Sequence, residues 1–427
     1  MRVALRIAAG ALVFICLSTF DRPASAQDGP VSGNPAATTA PTGTGWLGRT
    51  LGLEESSGIT LGGLWLSDLS IVAAGGVTPG ALSANNLLSL GVQIDADKLV
   101  DWHGAKFGAL YTRYDGDDTN RHAGTVPGYN GIVSPPPHYR MELNELWYLQ
   151  SIVDGKLQVR VGRVLPTLDF NNVERPVAFK DERQNIPALS GLLYSSIAIN
   201  PTMLGVIPGY FNPGDGVTVN ITPTKEAYVN IGIYDGNNAR GIQSGFNGPQ
   251  FNNYWFTIAE AGINWVLGDG QHPGKFGIGT WKQTGVLTGP GGLEQNGTGG
   301  LYLFGSQRIA YGLNSNVPNS SVSIFYQYGS NDSLTLPVNR YYSVGITGFG
   351  LIGGRTRDSI GAGIALSQLN PNLFTGRTDE LMIQAYYQAH LHGSAYLQPT
   401  VTYIPVPGAA ATLPATLTGT LRLTVLF

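Results

Sequence analysis

Apolar and polar residues alternate with period two along most of this chain, the spacing of a strand with one greasy and one wet face. The last residues show it most clearly. Leu417, Leu421, Leu423, Val425 and Phe427 share one face with Gly419, while Thr416, Thr418, Thr420, Arg422 and Thr424 share the other, and Leu426 breaks the rule. Over 380–392, Leu381, Ile383, Ala385, Tyr387, Ala389 and Leu391 oppose Glu380, Gln384, Tyr386, Gln388, His390 and His392, with Met382 the exception. The same pattern predicts strands over 88–96, 216–222, 227–235, 259–267, 321–329, 341–348 and 358–367. Several of these are separated by clusters of Gly, Asn, Asp and Pro, as hairpins require. The prediction is an all-β, antiparallel chain.

Alternation alone does not choose between a soluble sandwich and a membrane barrel. Three features favour the barrel. The polar faces carry Thr, Gln, Tyr, Arg and Glu instead of the Lys/Glu mix of a solvated sheet. Aromatic residues sit near segment ends, as in Trp147-Tyr148, Tyr254-Trp255, Trp265, Tyr341-Tyr342 and Tyr403, which reads as a pair of interfacial girdles. The chain also stops on an alternating strand ending in Phe427. Bacterial outer-membrane barrels share that ending, and it implies recognition by the barrel-assembly machinery.

Composition agrees. Charged residues are 12%, about half the ~25% of a soluble globular chain, and Gly reaches 59 of 427. So much Gly and Pro excludes a helical bundle, and the 10% aromatics exclude a disordered chain. At the amino terminus, Arg2 and Arg6 precede an apolar run, Ala8 to Leu17, and Ala24-Ser25-Ala26 resembles a cleavage site. Residues 1–26 therefore read as a signal peptide, too short in its apolar run for a membrane helix. Residues 27–45 read as a flexible leader, 46–57 as a short helix or loop, and 58–427 as one barrel domain. Those 370 residues accommodate 16 strands at about 23 residues per strand and connection, room for a ~9–11-residue crossing and a loop. The expected long loops are 115–137, 236–253 and 408–414. Without residues 1–26 the chain has no cysteine and a net charge of −5, with 22 basic and 27 acidic residues. It is no disulfide scaffold, and it lacks the basic stripe that nucleic acid needs.

Facing parity nominates lumen residues. With Leu157, Val159 and Val161 toward lipid, Gln158 and Arg160 point inward. With Leu301, Leu303 and Ile309 outward, Tyr302 and Arg308 point inward, and in the last strand Arg422 does. The same rule selects Asp95, Tyr228, Asn230, Glu260, Asn264, Glu380, Gln384, Tyr386, Gln388 and Gln398. An arginine at lipid mid-depth would cost about 2–4 kcal/mol. Each arginine could contact solute at a constriction, or brace the wall through Glu380 or Glu260. Other motifs favour plainer readings. Gly43-x-Gly45-x-x-Gly48 lacks the strand a dinucleotide site needs. His390 and His392 have no third ligand. Asp115, Asp117 and Asp118 lack the rest of a Ca²⁺ loop, and Glu54-Glu55 reads as a solvated pair. No G-x-S-x-G occurs, so neither catalysis nor a cofactor is expected.

Specific residues resemble a known family. Trp46-Leu47-Gly48-Arg49 with Gly58-Ile59-Thr60-Leu61, then Leu90 to Leu99, Gly162-Arg163 with Asp169-Phe170, and Gly232-Ile233-Tyr234-Asp235 are similar in order to carbohydrate-selective porins of the OprB type. So are Glu380, Ala385-Tyr386-Tyr387, Leu397-Gln398-Pro399, Tyr403-Ile404, Pro407-Gly408 and Leu421-Arg422-Leu423 through Phe427. The chain departs from that pattern at Thr400, Val401 and Thr402 and at Val406-Pro407. The resemblance implies a transmembrane antiparallel β-barrel of 16 strands in a Gram-negative outer membrane, surrounded by lipid. It implies passive diffusion of small sugars such as glucose through a constricted pore. A general or weakly cation-favouring pore, an enzyme on a barrel wall and a secreted all-β carbohydrate-binding protein are the alternatives. Oligomeric state is left open.

Overall fold

The computed structural model describes residues 44–427, apart from 54, 172, 174–190, 195–199, 210–211, 243, 269–270 and 375. The proposed signal peptide and nearly all of the leader lie outside the described residues, as does Glu54. A helix, α1 (Trp46–Thr50), precedes sixteen strands. They are β1 (Ile59–Ala74), β2 (Leu82–Asp95), β3 (Ala105–Asp115), β4 (Tyr139–Ile152), β5 (Leu157–Val164), β6 (Gly214–Ile221), β7 (Ala227–Asp235) and β8 (Trp255–Leu267). There follow β9 (His272–Thr288), β10 (Glu294–Tyr311), β11 (Ser321–Asn331), β12 (Val338–Phe349), β13 (Ser359–Leu369), β14 (Asp379–His392), β15 (Ala395–Ile404) and β16 (Thr416–Leu426). Each pairs antiparallel with its sequence neighbours, and β1 pairs with β16, so the sheet closes and has no free edge.

Closure follows from the alternating sequence. Val92, Ile94, Val217, Ile231, Ile233, Ile278, Val344, Ile364 and Val401 are exposed on the outer face. Their polar neighbours Asn85, Thr112, Thr218, Asn230, Gln327 and Thr402 are buried inside. Water would not tolerate so continuous an apolar belt, whereas hydrocarbon requires one. Aromatic rings flank it. At one rim, Trp102, Phe107 and Tyr148 cluster with centroids 5.2–5.8 Å apart. At the other, Trp255 stacks on Phe251 at 5.2 Å and Tyr328 meets Tyr342 at 5.2 Å, while Tyr139 and Tyr403 are exposed. Two residues assigned to the girdles from sequence belong elsewhere. Tyr341 is fully buried inside, and Trp147 also faces the lumen. In β4 the extra residue Asn144 bulges the strand, so Glu145 and Trp147 turn inward after it.

Connections differ at the two rims. Turns such as 153–156 and 393–394 are short on one side. On the other lie 116–138, 165–213, 236–254 and 405–415. The 165–213 connection was not among the expected long loops, although Pro166, Asn200-Pro201, Pro208 and Asn212-Pro213 interrupt any alternation there.

The seam is clasped at the short-turn rim. The Phe427 N–H donates to the Gly63 carbonyl at 2.9 Å and its carbonyl accepts from the Gly63 N–H at 2.6 Å. The Trp46 ring stands edge-on to Phe427 at 6.3 Å. A Cβ on Gly63 would lie 2.5 Å from the Phe427 ring and 2.5 Å from the Ser89 carbonyl oxygen. Gly63→Val should therefore destabilise the closed barrel by about 1–3 kcal/mol. A lowered unfolding temperature of the heat-modifiable gel band would register it, against Gly248→Ala, where nothing lies within 4 Å of the new methyl.

Candidate functional site: the lumen and its in-folded loops

Two long connections fold into the cylinder and are tied to its wall. In 116–138, Asp118 caps the short helix α2 (Thr119–Ala123) by accepting from the Arg121 N–H at 3.0 Å, and Gly124 ends it at φ 76°. The Asn120 side chain then accepts from the Tyr129 and Asn130 N–H groups at 3.0 Å each, which folds the loop back on itself. Asn130 Nδ2 donates to Asp68 Oδ2 on β1 at 2.7 Å. Arg422 on β16 grips the same carboxylate with Nε and Nη2, at 2.7 and 2.8 Å. Nearby, the Glu380 carboxylate accepts from the Thr125 hydroxyl, the Val126 N–H at 3.0 Å and the Gly408 N–H at 2.7 Å. It therefore holds both 116–138 and 405–415 to β14. Burial pushes the Tyr129 phenol in this loop up to about 12.

The 165–213 connection crosses the lumen. Its first helix, α3 (Pro166–Asp169), delivers Asp169 to an ion pair with Arg160 on β5. Asn230 Nδ2 donates to the Asp169 carbonyl at 3.2 Å. The Asn171 N–H donates to Glu260 at 2.7 Å, and the hydroxyls of Tyr228 and Tyr302 donate to the same carboxylate at 2.6 and 3.0 Å. Further along, the Leu193 N–H donates to Gln384 Oε1 at 2.5 Å and Gln384 Nε2 donates to the Tyr129 carbonyl at 3.1 Å. One carboxamide thus joins both loops to β14, and the Gly131 N–H bonds the Leu193 carbonyl directly at 2.7 Å. Gln398 Nε2 donates to the Gly191 carbonyl at 2.6 Å, and Gln388 Nε2 to Gln398 Oε1 at 2.9 Å.

The loop's apolar side packs on wall rings. Phe170, Leu192, Tyr194, Met203 and Ile207 form one buried cluster with residues that include Phe256, Trp281, Phe304, Phe325 and Tyr386. Met382, the exception to its strand's alternation, joins this cluster, which explains an apolar residue on a polar face. The sector from β6 to β14 is thereby largely sealed. Half-exposed inner positions remain on the other side, at Gln93, Lys106, Glu145, Trp147, Gln158 and Arg422.

The remaining nominated residues lie nearer the short-turn rim. Asp95 ends β2 and pairs with Lys106 at 3.6 Å. Asn264 lies near the end of β8, half-buried, and Gln158 lies 3.4 Å from the Ser151 hydroxyl. Arg308 stacks over Tyr311 at 5.2 Å and donates to the Gln271 carbonyl at 3.2 Å, so it belongs to the rim. Neither Glu260 nor Glu380 is an arginine partner in the described contacts. Asp169 and Asp68 take that role because the in-folded loop and the seam bring them closer. Asp68, Asn130 and Asp169 escaped nomination. Asp68 was within reach of the parity rule, since Trp65, Ser67, Leu69 and Ile71 share the opposite face of β1.

A closed cylinder that is apolar outside and polar inside, with loops drawn into its bore, is an outer-membrane porin. Residues 80–427 match the family described as "Carbohydrate-selective porin, OprB family". The chain belongs to that family, and it is an integral outer-membrane protein of the Gram-negative type. It is similar to Porin B of Pseudomonas aeruginosa, 23% identical over 368 residues that cover 75% of this chain and 76% of that one. The high-pH structure of Pseudomonas putida OprB superimposes with a TM-score of 0.74 at 19% identity, over 90% of this chain and 99% of that one. The low-pH structure of the same protein gives 0.58 at 16% identity, over 90% and 100%. At such identities these structures speak for the fold.

Proposed function

We propose that monosaccharide-sized sugars cross this porin by passive diffusion along the half-exposed sector of the lumen, with no chemical step. The carrying observation is the lashing of 165–213 to Arg160, Glu260, Gln384 and Gln398, which fills one side of the bore and narrows the other. A 16-stranded cylinder without such a filling is wide enough for unselective flow. Along the remaining sector, Gln93, Gln158, Glu145 and Arg422 supply donors and acceptors for sugar hydroxyls. The mixture of Lys106, Arg422, Asp95 and Glu145 favours neutral solutes over either ion. Its grip stays weak, as transit demands. Residues 1–26 act as the signal peptide in this reading, and β16 with Phe427 is the strand presented to the barrel-assembly machinery.

Liposome swelling with purified protein tests it. Glucose and other hexoses should enter several times faster than disaccharides, with a reversal potential near zero in a salt gradient. Equal rates for both sugar sizes, together with strong cation selectivity, would make this a general cation-favouring pore.

A further inference from the structure

Inward-pointing rings on the wall are sealed almost everywhere. Tyr228, Phe256, Trp281, Tyr302, Phe325 and Tyr386 are each 4% exposed or less. Trp147 differs, because it faces the lumen from β4 and stays half-exposed. Its cross-strand partners are Gly108 on β3 and Gly162 on β5. A Cβ on Gly108 would lie 2.2 Å from Trp147 Cζ2, so the indole lies flat across the space that a side chain there would fill. The Arg160 guanidinium, itself held by Asp169, sits 5.7 Å from the ring centroid. Trp147 Nε1 points at Glu145 Oε2 at 3.5 Å. A ring on glycine, fixed by a cation and flanked by a carboxylate, borders the one sector the loops leave wet.

The geometry points to a pyranose platform: the Trp147 indole takes the C–H face of a sugar ring while the Glu145 carboxylate accepts its hydroxyls. This rests on the sugar-porin reading above. Sugar C–H bonds are weakly positive, and the face of an indole carries the negative lobe of its quadrupole. Hydrogen bonds from hydroxyls to a carboxylate are charge-assisted. Arg160 is a positioning residue, because it touches the ring and is itself sealed from the lumen.

The full-length porin in planar bilayers provides the test, with ionic current titrated by glucose and by mannitol. Mannitol is an open-chain polyol with hydroxyls but no ring face. The wild type should be blocked at lower glucose than mannitol concentration. In Trp147→Leu the half-blocking glucose concentration should rise about three- to tenfold, the range of one aromatic contact. Mannitol should be unaffected, and Trp147→Tyr should fall between. Unchanged glucose block in Trp147→Leu, or an equal loss for mannitol, overturns the platform. Should Trp147→Leu fail to assemble, wild-type protein labelled with 5-fluorotryptophan decides. The ¹⁹F line missing from Trp147→Tyr must shift with glucose, and a line that stays put overturns the proposal. Proteoliposomes that exclude glucose altogether would instead sink the sugar-porin reading, which separates the two failures.

Discussion

Gln384→Ala will let disaccharides through. The Gln384 carboxamide accepts from the Leu193 N–H at 2.5 Å and the Tyr194 N–H at 3.3 Å, and donates to the Tyr129 carbonyl at 3.1 Å. Those three bonds bind both in-folded loops to one position on β14. Each is worth about 0.5–1.5 kcal/mol when water can replace the lost partner, so about 2–4 kcal/mol of docking disappears. The barrel wall loses only the bond to the Thr402 hydroxyl at 2.7 Å, so its strands stay paired. Single-channel conductance should rise and fluctuate, and the swelling rate with a disaccharide should increase severalfold. Gln388→Ala makes a fair control, since its amide reaches Gln398 and not the loops directly. Unaltered disaccharide exclusion in Gln384→Ala would mean that the apolar packing alone keeps the loops in place.

Asp68→Ala will weaken the barrel as a whole. Asp68 is fully buried and receives two bonds from Arg422 and one from Asn130. Removing one member of a buried pair costs about 3–5 kcal/mol, because the other charge is stranded. Arg422 keeps some exposure to the lumen, so the lower end is expected here, near ~3 kcal/mol. The temperature at which the heat-modifiable band converts in gels should fall clearly. Asp68→Ala combined with Arg422→Met should recover part of the loss, since no stranded charge remains. A double variant less stable than Asp68→Ala would show that the ion pair is not what holds β1 to β16.

Much of the architecture was legible because strands of a lipid-facing cylinder have no choice of pattern. Ile231 and Ile233 must meet hydrocarbon, and Asn230 and Gly232 between them cannot. Loops obey no such period. The sequence names Glu260 as a polar residue on a strand, but nothing local says that Asn171, Tyr228 and Tyr302 converge on it. Arg160 and Arg422 could be assigned a face, whereas their partners Asp169 and Asp68 depend on chain returning from far away. Trp147 shows the other limit. One additional residue at Asn144 reverses the parity of everything after it, and an asparagine in a strand carries no mark of a bulge. A rule that counts by twos therefore sends the indole to the membrane boundary, while the folded chain turns it to the water.

The anchorage of 116–138 has a consequence for how the molecule comes into being. Its Asn130 leans on a carboxylate from the first strand that is held in turn by a guanidinium from the last. Until those two ends of the polypeptide meet, that mooring does not exist. A half-built cylinder would thus be an unfiltered hole, and size discrimination would arise only as insertion finishes.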